Sequence, residues 1–193
     1  MRIRRLRSAG YHESMSALEL LSRRETWHPR PVCSPALRPW LVDEASLSAR
    51  IAARAEFGVR VLSQGIAPAL PDERVFFGRA TLVREVLLCA DGVPVVFARS
   101  VLDAGSRPWR AWHRLGSRPL ACLLFGKARV ARTSLAFRGF SSVLLPAQAG
   151  KRTELSPRLL PARRRFFVRE GSPLLLTVVF LPSILEIGHG MDR

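Results

Sequence analysis

The chain has 193 residues with 48% hydrophobic and 24% charged content, which suits one globular domain with a real core and leaves little room for a second. Its net charge of +16 would favour nucleic acid, anionic lipid or anionic metabolites. However, the basic residues are scattered and all but Lys127 and Lys151 are arginine, so a basic surface with no particular partner is the simpler account. P-loop, GxGxxG, GxSxG and HExxH signatures are absent, and the longest apolar run, over 173–182, suits a buried strand rather than a membrane span.

Residues 1–24 read as a basic extension outside the core. MRIRRLRS is Arg-rich like a transit peptide, and a start at Met15 is an equal alternative. A single domain is expected over 25–187, followed by a short tail over 188–193. The Pro-rich stretch 27–40 predicts an extended arm rather than a helix. Ser46 is placed to cap a helix running to about residue 56, with Leu47, Ile51 and Ala55 on one face. GVRVLSQG alternates as a half-buried strand, 66–72 is a loop, and strand signals return over 74–79. From 81 to 102, two apolar runs flank Asp91-Gly92, a pair suited to a two-residue hairpin turn. Short helices are expected over 108–115 and 120–125, then a strand over 130–137. No clear pattern holds between 139 and 161. A last hairpin joins 163–169 to 174–181 through Glu170-Gly171-Ser172. Strands that arrive as hairpins, with helices between pairs of them, favour an α+β fold with a mainly antiparallel sheet.

Side-chain chemistry is sparse. Cys33, Cys89 and Cys122 read as small core residues of a reducing compartment, and the four histidines are too dispersed for a local zinc site. Arg84 shares a strand face with Leu82, Val86 and Leu88, while Glu85 points the other way. A buried arginine needs an anion, so Arg84 is either half of an internal ion pair, an edge arginine reaching solvent, or the clamp for a ligand carboxylate. Arg163-Arg164-Arg165 reads as a solvated run, with an anion grip as the alternative. Trp109 and Trp112 read as anchors of a short helix, with a base-stacking patch as the alternative.

Several blocks resemble one family in register: VREVLLCADGVPVVFARSV, then LGSRPLACLLF, then RRRFFVREGSPLLLTVVFLP, preceded by DEASLSARI and FGVRVLSQG. Together they resemble chorismate pyruvate-lyase, over about residues 27–182. The resemblance implies loss of pyruvate from chorismate to give 4-hydroxybenzoate, the first step of ubiquinone synthesis, in the cytoplasm and without a metal or organic cofactor. It also implies a single, about six-stranded antiparallel sheet with helical flap loops over an internal ligand cavity. A monomer is expected, with chorismate and 4-hydroxybenzoate as the ligands and neither nucleic acid nor membrane as a partner.

By the same resemblance, Arg84 grips the ligand carboxylate, the Leu120 backbone N–H donates to that carboxylate, and Leu47 offers a second backbone donor. One position departs. Where the family strand carries a glutamate, two residues before the phenylalanine of LLLTVVFLP, this chain has Val178. Valine neither accepts a proton nor a hydrogen bond. A weakened lyase, a module that binds chorismate or 4-hydroxybenzoate without turnover, and a substitute carboxylate from elsewhere all remain open, with Glu186 not placed by the sequence. The fold also resembles effector-sensing domains of transcription regulators, although no helix-turn-helix is recognisable.

Overall fold

The computed structural model describes residues 27–78, 80–125, 129–146, 148 and 159–187. The sequence expectations for 1–24 and 188–193 lie outside the described residues. The described strands are β1 (Phe57–Ile66), β2 (Thr81–Ala90), β3 (Val93–Asp103), β4 (Ala131–Arg132), β5 (Ala136–Ser141), β6 (Leu159–Arg169) and β7 (Ser172–Phe180). They form one antiparallel sheet in the order β1-β2-β3-β7-β6-β4, and β5 pairs with β6 beside β4.

β4 meets β6 at Phe167 and Val168, and β5 meets it from Arg164 back to Leu159. The two short strands are therefore successive pieces of one outer strand, and the sheet is six strands wide. The expected continuous strand over 130–137 is broken at 133–135 by a side chain. Thr133 Oγ1 accepts the Phe166 N–H at 3.0 Å, replacing a ladder carbonyl, while Thr133 N–H still donates to the Phe166 carbonyl.

Both predicted hairpins form. Asp91 and Gly92 sit at φ 50° and 78°, Glu170 and Gly171 at 49° and 71°, so each turn has the two left-handed residues that match the twist of its strands.

The four central strands are buried on both faces, unlike an antiparallel sheet with one wet side. One face packs on Phe76, Phe77 and Trp27. Residues 74–77, expected as strand, are turns: Val75, Phe76 and Phe77 have strand-like composition, but both Phe rings pack on Phe166, and their N–H groups donate to the Glu73 carbonyl. The other face carries two covers. At one end lie α1 (Arg38–Val42) and α2 (Leu47–Ala52), at the other a 3₁₀ helix (Arg107–Arg114) and α3 (Ala121–Leu124).

The arm expected to stay extended thus becomes helical at Arg38, where Pro39 is tolerated in the first turn. Ser46 caps α2 as expected, its Oγ accepting from Ala49 N–H at 3.2 Å, although α2 ends at Ala52 ahead of β1. Trp109 and Trp112 are fully buried anchors, donating to the Ser172 carbonyl and Ser100 Oγ, so no stacking patch exists there. Of the cysteines only Cys89 is buried; Cys33 is intermediate and Cys122 exposed.

The non-site face contains a complete ion cluster. Arg99 donates to both Glu73 oxygens (2.9 and 3.2 Å from Nε) and to Glu85 at 2.7 Å. Burial pulls the Arg99 pKa down, but hydrogen bonds and charge from Glu73 and Glu85 reverse this and raise it. Truncating one member strands the others, so Glu73→Ala is expected to lower stability by about 3–5 kcal/mol, read by urea unfolding.

Candidate functional site

The register explains why a hollow opens on the covered face. Leu82, Leu102, Leu174 and Phe167 form one cross-strand row beneath the 3₁₀ helix and α3; Leu88, Val96 and Phe180 form another in the cluster with α1 and α2. Between them run two rows, Arg84–Ser100–Leu176–Arg165 and Val86–Ala98–Val178–Arg163. Ser100 and Ala98 are small, so the centre of the floor is low while its margins are tall. The result is a cavity of about 800 Å³ counting its open mouth, roofed by Leu47 from α2 and by Leu120 and Leu124 from the other cover.

Arg84 stands on this floor at 2% exposure. Its Nε donates to Gln64 Oε1 (3.0 Å), and Nη2 donates to the carbonyls of Gly116 (2.9 Å) and Arg118 (3.1 Å). The Gln64 amide is held in turn by donating to the Trp112 and His113 carbonyls. All of these acceptors are neutral, and among the described residues Arg84 makes no ion pair. Burial alone depresses its pKa, with no opposing carboxylate, in contrast to Arg99 on the next strand. Glu85 faces away as expected, taken up by Arg99 and Ser63.

Leu120 lies at the start of α3, two residues beyond the Arg118 carbonyl that Arg84 holds, and Leu47 opens α2 directly after its cap. Such first-turn N–H groups have no intrahelical acceptor. Neither is taken by another group of the described residues. The structure thus brings Arg84, Leu120, Leu47 and Val178 to one cavity. Glu186 lies in a separate 3₁₀ turn (Pro182–Glu186) and does not line it.

Sequence reasoning missed the other charged lining residues. The run 163–165 is not solvated: Arg163 and Arg165 are each 7% exposed and Arg164 1%. Alternation sends Arg164 to the opposite face, against Asp72 and the Trp27 ring, and Arg163 and Arg165 into the site. Three consecutive arginines in a strand flanked by Leu, Ala, Phe and Val carried that signal, because a strand apolar on both faces is not an edge. Arg163 Nη1 donates to the carbonyls of Trp40, Leu41 and Asp43, and burial brings its pKa down to about 10. Arg165 donates to the Thr133 carbonyl and to Glu44 at 3.3 Å.

Asp43 and Glu44, between the two helices, are the lining carboxylates. Burial would raise the Asp43 pKa, yet the Ala45 N–H and Arg50 at 2.8 Å hold it below its usual value. Among the described residues no cluster of His, Cys, Asp and Glu could hold a metal ion, and no helix is long and apolar enough to cross a membrane.

The site and fold define a class: an α+β sheet whose covered face encloses a hollow lined by Arg84, Arg163 and Arg165. The fold alone is also seen in "possible transcriptional regulator YydK" from Bacillus subtilis, with a TM-score of 0.50 at 8% identity over 91% of this chain and 80% of that one. The chorismate lyase family model matches residues 21–187. The chain is 44% identical over 176 residues to a probable chorismate pyruvate-lyase of Aromatoleum aromaticum, covering 84% of this chain and 95% of the relative. It is 43% identical over 177 residues to the protein so named in Azoarcus sp., covering 84% and 94%. The chain belongs to the chorismate lyase family.

Proposed function

We propose that this chain removes pyruvate from chorismate to leave 4-hydroxybenzoate, as a cytoplasmic monomer that supplies ubiquinone synthesis. The observation that carries the reading is the Arg84 guanidinium, buried on the floor of a cavity with only neutral partners among the described residues. A cation kept this dry favours a ligand that brings its own carboxylate.

Arg84 takes the ring carboxylate, and the Leu120 N–H, fixed by the same turn, completes that grip. Leu47 donates through its backbone from the opposite cover. Aromatisation of the ring drives the reaction once the enolpyruvyl ether leaves and the C4 proton is lost. The protein therefore has to hold the dianion, exclude water and ease one proton transfer. Purified protein given chorismate is expected to form 4-hydroxybenzoate faster than spontaneous breakdown, followed by absorbance, and to do so equally in EDTA. A rate equal to spontaneous breakdown would remove turnover from the proposal.

A second reading is favoured by one observation. Val178 faces the cavity between Ala98 and Arg163, where the family resemblance places a glutamate, and both lining carboxylates are engaged by arginines. On this reading the chain binds chorismate or 4-hydroxybenzoate with little or no turnover.

A further inference from the structure

We infer that the cavity has a second anion seat, formed by Arg163 and Arg165 of β6, which takes the enolpyruvyl carboxylate while Arg84 takes the ring carboxylate. This rests on the functional reading above. Arg84 and the β6 pair stand on opposite sides of the floor, with β3 and β7 between them. Three strand spacings put their backbones about 14 Å apart. Once both sets of side chains lean inward, that span fits one ring with a carboxylate toward each side.

Charge within the cavity is unbalanced in the same sense. Of its cationic side chains, Arg163 has no ion pair among the described residues: its three acceptors are carbonyls, all met by Nη1, so Nε and Nη2 are not engaged there. Carbonyls satisfy donors without cancelling a charge. Asp43, which supplies one of those carbonyls, makes its direct carboxylate contact with Arg50 and offsets Arg163 only through space, too weakly to cancel the effect of burial. Arg165 is opposed by Glu44 at 3.3 Å, but Glu44 has 59% of its side chain exposed, where water screens it.

Val178 completes the argument. It is the cross-strand neighbour of Arg163 on the same face, a placement with Cβ atoms about 5 Å apart. A carboxylate at 178 would neutralise Arg163; valine leaves its charge available to a ligand. The seat also separates substrate from product, since 4-hydroxybenzoate keeps only the carboxylate that Arg84 holds.

Titration calorimetry on the full chain tests this with 4-hydroxybenzoate and 3-(carboxymethoxy)-4-hydroxybenzoate, a stable aromatic that adds one ether-linked carboxylate. The dianion is expected to bind at least tenfold more tightly. Arg165→Gln and Arg163→Gln should each cut that preference at least fivefold. Val178→Glu should do the same while leaving the carbonyl bonds of Arg163 in place, which keeps the test decisive if Arg163→Gln does not fold. A wild-type preference under tenfold, or one that Arg165→Gln and Val178→Glu leave within fivefold, overturns the second seat without touching the Arg84 clamp. Failure of the wild type to bind either compound overturns the functional reading, and the seat with it.

Discussion

Val178→Glu is expected to raise kcat for chorismate by about a hundredfold to ten-thousandfold, the range over which a positioned acid–base group typically acts. Residue 178 is 6% exposed and faces the cavity from β7, where the neighbouring β3 offers only Ala98 beside it. A glutamate fits this place better than most buried positions, because Arg163 stands on the neighbouring strand to balance its charge and the low floor gives it room. The same pairing should raise KM for the dianionic substrate, so kcat and KM increase together. Val178→Gln is the control: it has nearly the same shape and hydrogen-bonding reach but no useful basicity, and should leave kcat near the wild-type value. Stopped product formation at saturating chorismate separates the outcomes. If Val178→Glu folds, binds 4-hydroxybenzoate and still leaves kcat unchanged, proton transfer at residue 178 is not what limits this chain.

Arg84→Ala is expected to weaken 4-hydroxybenzoate binding by about 2–5 kcal/mol, the effect of truncating one partner of a buried, hydrogen-bonded charge pair. The structural cost is smaller than for Glu73→Ala, because the groups Arg84 leaves behind are a side-chain amide and two carbonyls rather than a bare charge. Calorimetry alongside urea unfolding therefore distinguishes a ligand clamp from a structural arginine. Lost affinity with most stability kept supports the clamp; unchanged affinity refutes it. Arg84→Lys tests geometry at constant charge. A lysine cannot span Gln64, the 116–118 turn and a carboxylate at once, so most of the affinity should still be lost.

The hairpins were legible in the sequence because Asp91-Gly92 and Glu170-Gly171 fix both the turn and the register on either side. The Arg84 face followed directly from strand alternation. The same rule applied to 163–165 would have put Arg163 beside Val178 and Arg165 beside Leu176, but three arginines in a row look like a solvated patch unless the strand is known to be central. Two other misreadings have local causes. Phe76 and Phe77 carry strand-like composition into a turn, where both are apolar because they pack in one cluster with Val83, Val101 and Phe166. Thr133 ended a strand by giving its side chain to the ladder, an event that composition does not mark. The involvement of Asp43 and Glu44 could not be read at all, since it depends on how α1 and α2 are laid against β6, whose arginines are more than a hundred positions away.

Arg84 and Arg163 also tether the structures above them. Arg84 holds the 116–118 turn beside α3, and Arg163 holds the Trp40 and Leu41 carbonyls of α1 and that of Asp43 beyond it. On the proposed function, recognition and confinement share the same two side chains. An anion that recruits either guanidinium then also pulls on the cover tied to it, and substitutions at either arginine are expected to change affinity and residence time together.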